Sequence, residues 1–265
     1  MDPDTDPTRF LSVLDGRGDV LDSLREDPKG KRELESQLGV SRSTVDRAVR
    51  ELEAEGLVAR AGDGYDLTAA GRLLVREYRQ FERTAATIAR LDPFLRWLPA
   101  EEFDVNPRWL TEADLHTPEE GDPYAMINRH VAAIADCDRF RGMLPLVGLH
   151  AHETVHERVV EDGATVDMLL ESAALETMQS PAYRPKAAEL IELDRYDVRV
   201  TDEPVPYFLG VFDGERVQIG VDADGEPRAL LESDDDRVVE WAEAKLADRR
   251  AAATPVPPAE FESDD

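Results

Sequence analysis

The sequence predicts an α+β protein in two parts. An N-terminal helical domain closes on a short hairpin, and a long helix joins it to a C-terminal mixed α/β domain. Three observations carry this. Apolar residues recur at three- and four-residue spacing through the first third, whereas later amphipathic stretches alternate with short apolar runs. Glycine-containing bends fall where those patterns change. Charge is also partitioned: residues 1–98 hold 19 acids and 16 bases, residues 99–265 hold 39 and 15.

The first helix is read from GDVLDSLREDP, where Val20, Leu21 and Leu24 share a face and Pro28 ends the pattern. KRELESQLGV gives a second helix with Leu34 and Leu38 one turn apart, and Gly39 is placed to close it in a left-handed conformation. Ser41, a good N-cap, opens the third, SRSTVDRAVRELEAEGL. Its Val45, Ala48, Val49 and Leu52 form one apolar stripe, while Ser43, Arg47 and Arg50 lie opposite with Thr44 to one side. Two helices joined by a tight glycine turn, the second basic on its outer face, make a helix-turn-helix. VARAGDGYDLT then reads as two short strands around Gly62-Asp63-Gly64, the wing.

The run KRELESQLGVSRSTVDRAVRELEAEGLVARAGDGYDLTAAGRLL resembles the winged helix-turn-helix domain of archaeal transcriptional regulators over about residues 18–75. The resemblance implies that Ser41, Arg42, Ser43, Thr44 and Arg47 meet DNA and that Arg60 on the wing meets phosphate; Arg50 shares the face of Arg47. The chemistry agrees independently. Hydroxyls at a helix N-terminus suit phosphate oxygens, and an arginine one turn further in can reach guanine O6 and N7 together.

The net charge is −27, from 58 acids and 31 bases, of which only four are lysines. Such an acidic, arginine-over-lysine chain resembles proteins of salt-accumulating halophiles, where molar salt screens repulsion to a Debye length of ~3 Å. The acid load largely spares the N-terminal part, as a polyanionic partner requires. No apolar run is long enough for a membrane helix, and the acidic start MDPDTDPTRF is unlike a signal peptide, so a cytoplasmic location is expected. A single cysteine, Cys137, excludes an intrachain disulfide and a cysteine-built zinc site, and its acidic neighbours favour a buried filler over a redox sensor.

LTAAGRLLVREYRQFERTAATIARLDPFLRWL continues as a long helix with Leu73, Leu74, Tyr78, Phe81 and Ala85 on one side, interrupted at Pro93; the stripe suits dimerisation. After a loop-rich stretch to Pro123, strands are expected in RGMLPLVG, ATVDMLLES, YDVRVTD, YFLGVFDG, ERVQIGVDADG and RALLES. Helices are expected in YAMINRHVAAIADC, LHAHETVHERVVEDG, ALETMQSPAYRPKAAELIEL and DDRVVEWAEAKLADRRAAA, the last capped by Ser233 or Asp234. Together they make a mixed sheet covered by helices. Through M-L-P-L, V-D-M-L-L-E, the run YFLGVFDGERVQIGVDADG and V-V-E-W-A, this half resembles the effector domain of haloarchaeal regulators related to the methanogenesis-regulator (filamentation regulator) family. Related sensor domains are likened to phospholipase D folds without catalysis, and this chain has no H-x-K-x4-D.

LHAHETVH contains H-E-x-x-H, the zinc-peptidase string, with His152 and His156 one helical turn apart and Glu153 between them. The flanks fail it: Glu157 and Arg158 follow where such a helix is usually uncharged, and no third-ligand signature appears downstream. The stretch falls at the carboxyl end of a strand, where α/β sheets bind ligands, so His150, His152 and His156 are candidate effector contacts and not metal ligands.

The expectation is a sequence-specific DNA-binding transcriptional regulator with a C-terminal domain that senses an effector or oligomerises. It is not an enzyme and needs no cofactor or metal. Its partners are double-stranded DNA, a second copy and a small-molecule effector, with no membrane. The alternative is a metal-dependent hydrolase fused to a DNA-targeting winged helix. The domains are read as 1–75 winged helix, 76–98 linker and dimerisation helix, 99–253 mixed α/β, and 254–265 a disordered acidic tail.

Overall fold

Helix α1 (Thr8–Ser23) starts well before the Val20/Leu21/Leu24 pattern, because Leu14 lies on the same buried face and the helix tolerates Gly16 and Gly18 on the way. The computed structural model describes residues 8–99 and 101–261, in two compact units that meet in sequence at Ala85 and Ala86.

In the first unit, α2 (Lys31–Leu38) ends at Gly39, whose φ of 64° is the left-handed close its type predicts. Ser41 caps α3 (Arg42–Ala54), its hydroxyl accepting from the Thr44 amide at 3.3 Å. The strands β1 (Val58–Ala61) and β2 (Gly64–Leu67) pair antiparallel, with Val58 opposite Leu67. The two loop residues are Gly62 and Asp63, and Gly62 takes the positive φ, so the turn sits one residue earlier than the Asp-Gly signal suggests. Val45, Ala48, Val49 and Leu52 are buried against Leu21, Leu24, Leu34 and Tyr65, forming the small core of this unit.

Helix α4 runs Ala69–Arg90 and α5 Asp92–Leu95. The division between the units falls inside α4, so residues 76–98 do not form a separate linker. The helix is interrupted at Leu91, one residue before the short helix, while Pro93 sits in that helix's first turn where no amide donor is needed. Leu91 and Phe94 belong to the core of the second unit. The α4 stripe also divides: Leu74 and Tyr78 pack on the first unit's core, whereas Leu73 and Phe81 stand exposed.

In the second unit the strands are β3 (Asp114–His116), β4 (Arg139–Leu144), β5 (Thr165–Glu171), β6 (Tyr196–Thr201), β7 (Phe208–Phe212), β8 (Arg216–Ala223), β9 (Glu226–Ser233) and β10 (Thr254–Pro255). They make an eight-stranded sheet, ordered β10-β6-β5-β4-β7-β8-β9-β3. The β4–β5 and β5–β6 pairs are parallel and the others antiparallel, giving the mixed sheet the pattern predicts. One face carries α6 (Ala125–Asp136), α7 (Leu149–Val160), α8 (Ser172–Met178) and α9 (Arg184–Ile191), whose Ile134, Val155, Met178 and Leu190 pack on Phe140, Met168 and Leu170. The other face carries α10 (Asp236–Ala252), through Val238, Ala242 and Leu246 on Val217 and Ile219. Asp235, not Ser233 or Asp234, caps α10. Asp213-Gly214 turns β7 into β8, both residues at positive φ.

Two stretches differ from the sequence reading. The loop-rich connection contributes β3, paired with β9 at the sheet edge, and a 3-10 turn at Pro107–Leu110 that buries Leu110. The tail read as disordered is ordered over 254–261: Thr254 and Pro255 extend the sheet beside β6, and Val256 and Phe261 are buried in the core beside α9. The acids suggest a solvated tail, but Val256 and Phe261 are the apolar groups that anchor it, and a 3-10 turn at Pro258–Phe261 brings Phe261 into the core. Residues 262–265 lie outside the described residues.

Candidate nucleic-acid interface and effector cavity

Helix periodicity sorts α3 into two faces, and burial follows it: Val45, Val49 and Leu52 are fully buried, while Arg42, Ser43, Arg47 and Arg50 are exposed. The Arg47 side chain is 75% exposed and reaches one turn forward along the helix to Glu51, Nε to Oε1 at 3.1 Å. Glu51 also receives Arg17 at 2.8 Å, and these bonds, Arg17's first, hold its carboxyl below the usual range. Arg50 donates from Nε to the Asp46 carbonyl at 3.0 Å. Ser41 serves the helix itself: besides capping, its hydroxyl lies 2.8 Å from Ser43 Oγ and 2.9 Å from Thr44 Oγ1. On the wing, the Arg60 guanidinium stacks over the buried Tyr65 ring at 5.6 Å, an exposed cation on a rigid base.

In the second unit a cavity of about 320 Å³ opens between α6, α7 and the sheet. Its lining is overwhelmingly apolar and includes three methionines, Met126, Met168 and Met178, which adapt to varied shapes. Leu146 and Leu149 also line it while remaining exposed to solvent.

A row of residues across four strands builds the sheet side of this region. Gly142 on β4 pairs with Gly210 on β7, Gly210 with Gln218 on β8, and Gln218 with Glu232 on β9. The two glycines leave room for phenylalanine rings: a Cβ on Gly142 would stand 2.7 Å from Phe140 Cζ, and one on Gly210 2.7 Å from Phe208 Cζ. His130 from α6 meets Phe208 edge-on, ring centroids 4.6 Å apart.

At the polar end of the row, Arg129 and Gln218 both hydrogen-bond Glu232, Gln218 Nε2 donating at 2.7 Å. Burial pushes the Glu232 carboxyl up, but these donors outweigh it and hold it below its usual range. With its amide nitrogen turned to Glu232, Gln218 presents its oxygen to His130 Nδ1 at 3.0 Å. Burial drives the His130 imidazole below its usual value of 6.5, against the smaller opposing effect of Gln218. Part of the ring still borders open space, because it lines the cavity.

The predicted histidines separate. His152 is buried, lines the cavity, and donates from Nε2 to the Tyr183 carbonyl at 3.2 Å; Tyr183 in turn donates its hydroxyl to the Val147 carbonyl at 3.3 Å. Burial again lowers its pKa first, and the Tyr183 carbonyl opposes. His150 lines the rim. His156 does not line the cavity: it pairs with Glu189 of α9 at 2.7 Å. One helical turn along α7 carries it past the opening, which the periodicity of the string does not reveal. Glu153 pairs with Lys186 at 3.3 Å, so all three residues of H-E-x-x-H are engaged by protein groups. Among the described residues no three His, Cys, Asp or Glu side chains gather to hold a metal. Cys137 is buried, and burial pushes its thiol up to about 11, which suits a core filler.

His130, Gln218 and Phe208 escaped the sequence reading. For His130 a signal existed, since Met126, His130 and Ile134 are spaced i, i+4, i+8 on the apolar side of α6.

Comparison with known proteins follows this division. Residues 123–252 match the family model of the middle domain of the methanogenesis regulatory protein FilR1. Residues 5–90 match the model of the HVO_A0261 N-terminal domain. No curated protein matches the chain. Similar solved structures include TrmBL2, an archaeal chromatin protein whose structure shows a novel mode of DNA binding. It has 15% identity and a TM-score of 0.43, with 95% of this chain and 100% of that chain covered. Others are NucT from Helicobacter pylori (10% identity, TM-score 0.45, 55% of this chain and 99% of that) and the phospholipase D family member Nuc from Salmonella typhimurium (12%, 0.42, 55% and 98%). None of the three is close enough to pass a function to this chain. The two family matches fall one on each unit, and the first unit has a winged-helix fold. They support a DNA-binding transcriptional regulator. Among the described residues no helix is long and apolar enough to cross a membrane.

Proposed function

We propose that this chain is a sequence-specific, dimeric transcriptional regulator of a salt-accumulating archaeon's cytoplasm, with a second unit that senses a small molecule. The observation that carries the DNA-binding part is the exposed Ser43–Arg47–Arg50 face of α3, opposite a wholly buried stripe and accompanied by Arg60 on the wing. An exposed basic helix of that kind fits the major groove, with Arg47 reading a base and Arg60 a phosphate. Arg42, Ser43 and Thr44 would meet the backbone near the helix start, and Ser41 would hold that start in place. The exposed Leu73 and Phe81 on α4 supply an apolar surface for a second copy. The apolar cavity of the second unit supports a binding role, and His152, Glu153 and His156 are each engaged by protein groups.

Chromatin immunoprecipitation in the native host tests this. Discrete sites sharing a two-half motif are the expected result, and even coverage of the genome would overturn the claim of sequence specificity.

A further inference from the structure

We infer that the cavity of the second unit takes an uncharged, largely apolar small molecule bearing one hydroxyl or N–H donor, which His130 Nε2 accepts. The inference deepens the proposed sensing role and rests on it.

A neutral imidazole carries one N–H, on one nitrogen or the other. Gln218 directs an oxygen at His130 Nδ1, because its own amide nitrogen is bound to the Glu232 carboxylate. An amide oxygen only accepts, so the proton of His130 must sit on Nδ1. Nε2 is then a lone pair, with no hydrogen bond from the protein among the described residues. His152 is fixed the other way round: its Nε2 faces the Tyr183 carbonyl and must carry its proton there. Neither of these histidines has a donor left for the cavity. A bound molecule that meets His130 Nε2 must bring its own.

The rest of the lining narrows the class. No arginine or lysine borders the cavity to neutralise an anion, and its one carboxylate, Asp222, already accepts from the Gly225 amide at 3.0 Å. Aliphatic side chains, with three methionines and two phenylalanine rings among them, make up the walls. The Glu232–Gln218–His130 chain polarises outward from a carboxylate, which makes Nε2 a stronger acceptor than an isolated imidazole nitrogen. An apolar alcohol or phenol fits these terms, whereas a sugar, a nucleotide or a metal ion does not.

The test uses the full chain in molar KCl and three matched probes: 4-hexylphenol, its methyl ether 4-hexylanisole, and 4-hexylbenzoate, titrated calorimetrically. The phenol should bind about tenfold more tightly than the ether, as one buried hydrogen bond predicts. His130→Phe, which keeps the ring volume, should abolish that preference while leaving the ether's affinity near wild type. Ala151→Phe, which fills the cavity away from the polar row, should lose both ligands. Nitrogen NMR of histidine-labelled protein reads the tautomer without any substitution and should show His130 protonated on Nδ1, with the Nε2 signal moving when the phenol binds. Equal affinities for phenol and ether, a proton found on Nε2, or no binding by any probe would overturn the inference. Tightest binding of the benzoate would do so too, by placing the polar end at the amides that open α7. DNA affinity, measured with and without the phenol, separates the two claims: donor-selective binding that leaves DNA affinity unchanged keeps the cavity chemistry and removes the sensing role.

Discussion

Arg47 and Glu51 face each other across one turn of α3, Nε to Oε1 at 3.1 Å, and Glu51 is shared with Arg17 at 2.8 Å. The exposed Arg47 of the α3 face is therefore held along the helix by an acid that DNA phosphates would repel. Reaching a base means exchanging a solvent-exposed ion pair, itself worth little, for a bidentate contact to guanine.

The first prediction follows from that exchange. Arg47→Ala should lower affinity for the mapped site by about 1–3 kcal/mol and relax the preference at a single base pair. Binding to the site and its single-base variants by fluorescence anisotropy measures both. If the variant protein binds every sequence as wild type does, α3 is not the reading helix.

The wing should behave differently. Arg60 is presented on Tyr65, and a phosphate contact carries no sequence information. Arg60→Ala should weaken all sequences about equally and reduce the slope of log affinity against log salt by about 1. A loss confined to one base pair would reassign Arg60 to base reading.

Phe81 is 63% exposed on α4, where Tyr78 one turn earlier is packed on the core. Phe81→Glu should convert a dimer to a monomer in light scattering in molar KCl, with little change in melting temperature, because the ring contributes nothing to its own unit's core. A wild-type monomer that binds a single half-site at full affinity would remove the dimer from the model of action.

A pH effect follows from the two buried histidines of the second unit. Burial lowers the pKa of both below the usual 6.5, so the folded state binds fewer protons than the unfolded one as pH falls through that range. Their contribution to stability is complete above the unfolded value. It declines on acidification until the lowered folded values are reached, by up to about 1.4 kcal/mol per pH unit for each ring. Acid also relieves the general repulsion of a chain of net charge −27, which acts in the opposite direction. The readout is therefore a difference: urea unfolding from pH 8 to pH 5 should lose stability more steeply in wild type than in His130→Phe. Parallel profiles would show that His130 titrates alike in both states.

The sequence by itself determined the first unit. Its signals are local: a left-handed glycine at 39, an N-cap at 41 and a stripe of period 3.6 through Val45, Val49 and Leu52 each act within one or two helical turns, so the face bearing Arg47 is legible before any fold is known. It also determined the order of strands and helices in the second unit, apart from the edge strands β3 and β10. Only the tertiary structure decided the cavity. Gly142, Gly210, Gln218 and Glu232 become neighbours through pairing of β4, β7, β8 and β9, and the proton on His130 is set by a residue 88 positions away. The same holds at the end of the chain, where acid and proline read as a solvated tail until Val256 and Phe261 find the hydrophobic core beside α9. Local periodicity records which face of an element is buried, but not which distant backbone comes to cover it, because that choice belongs to strand pairing and to the shape of the assembled core.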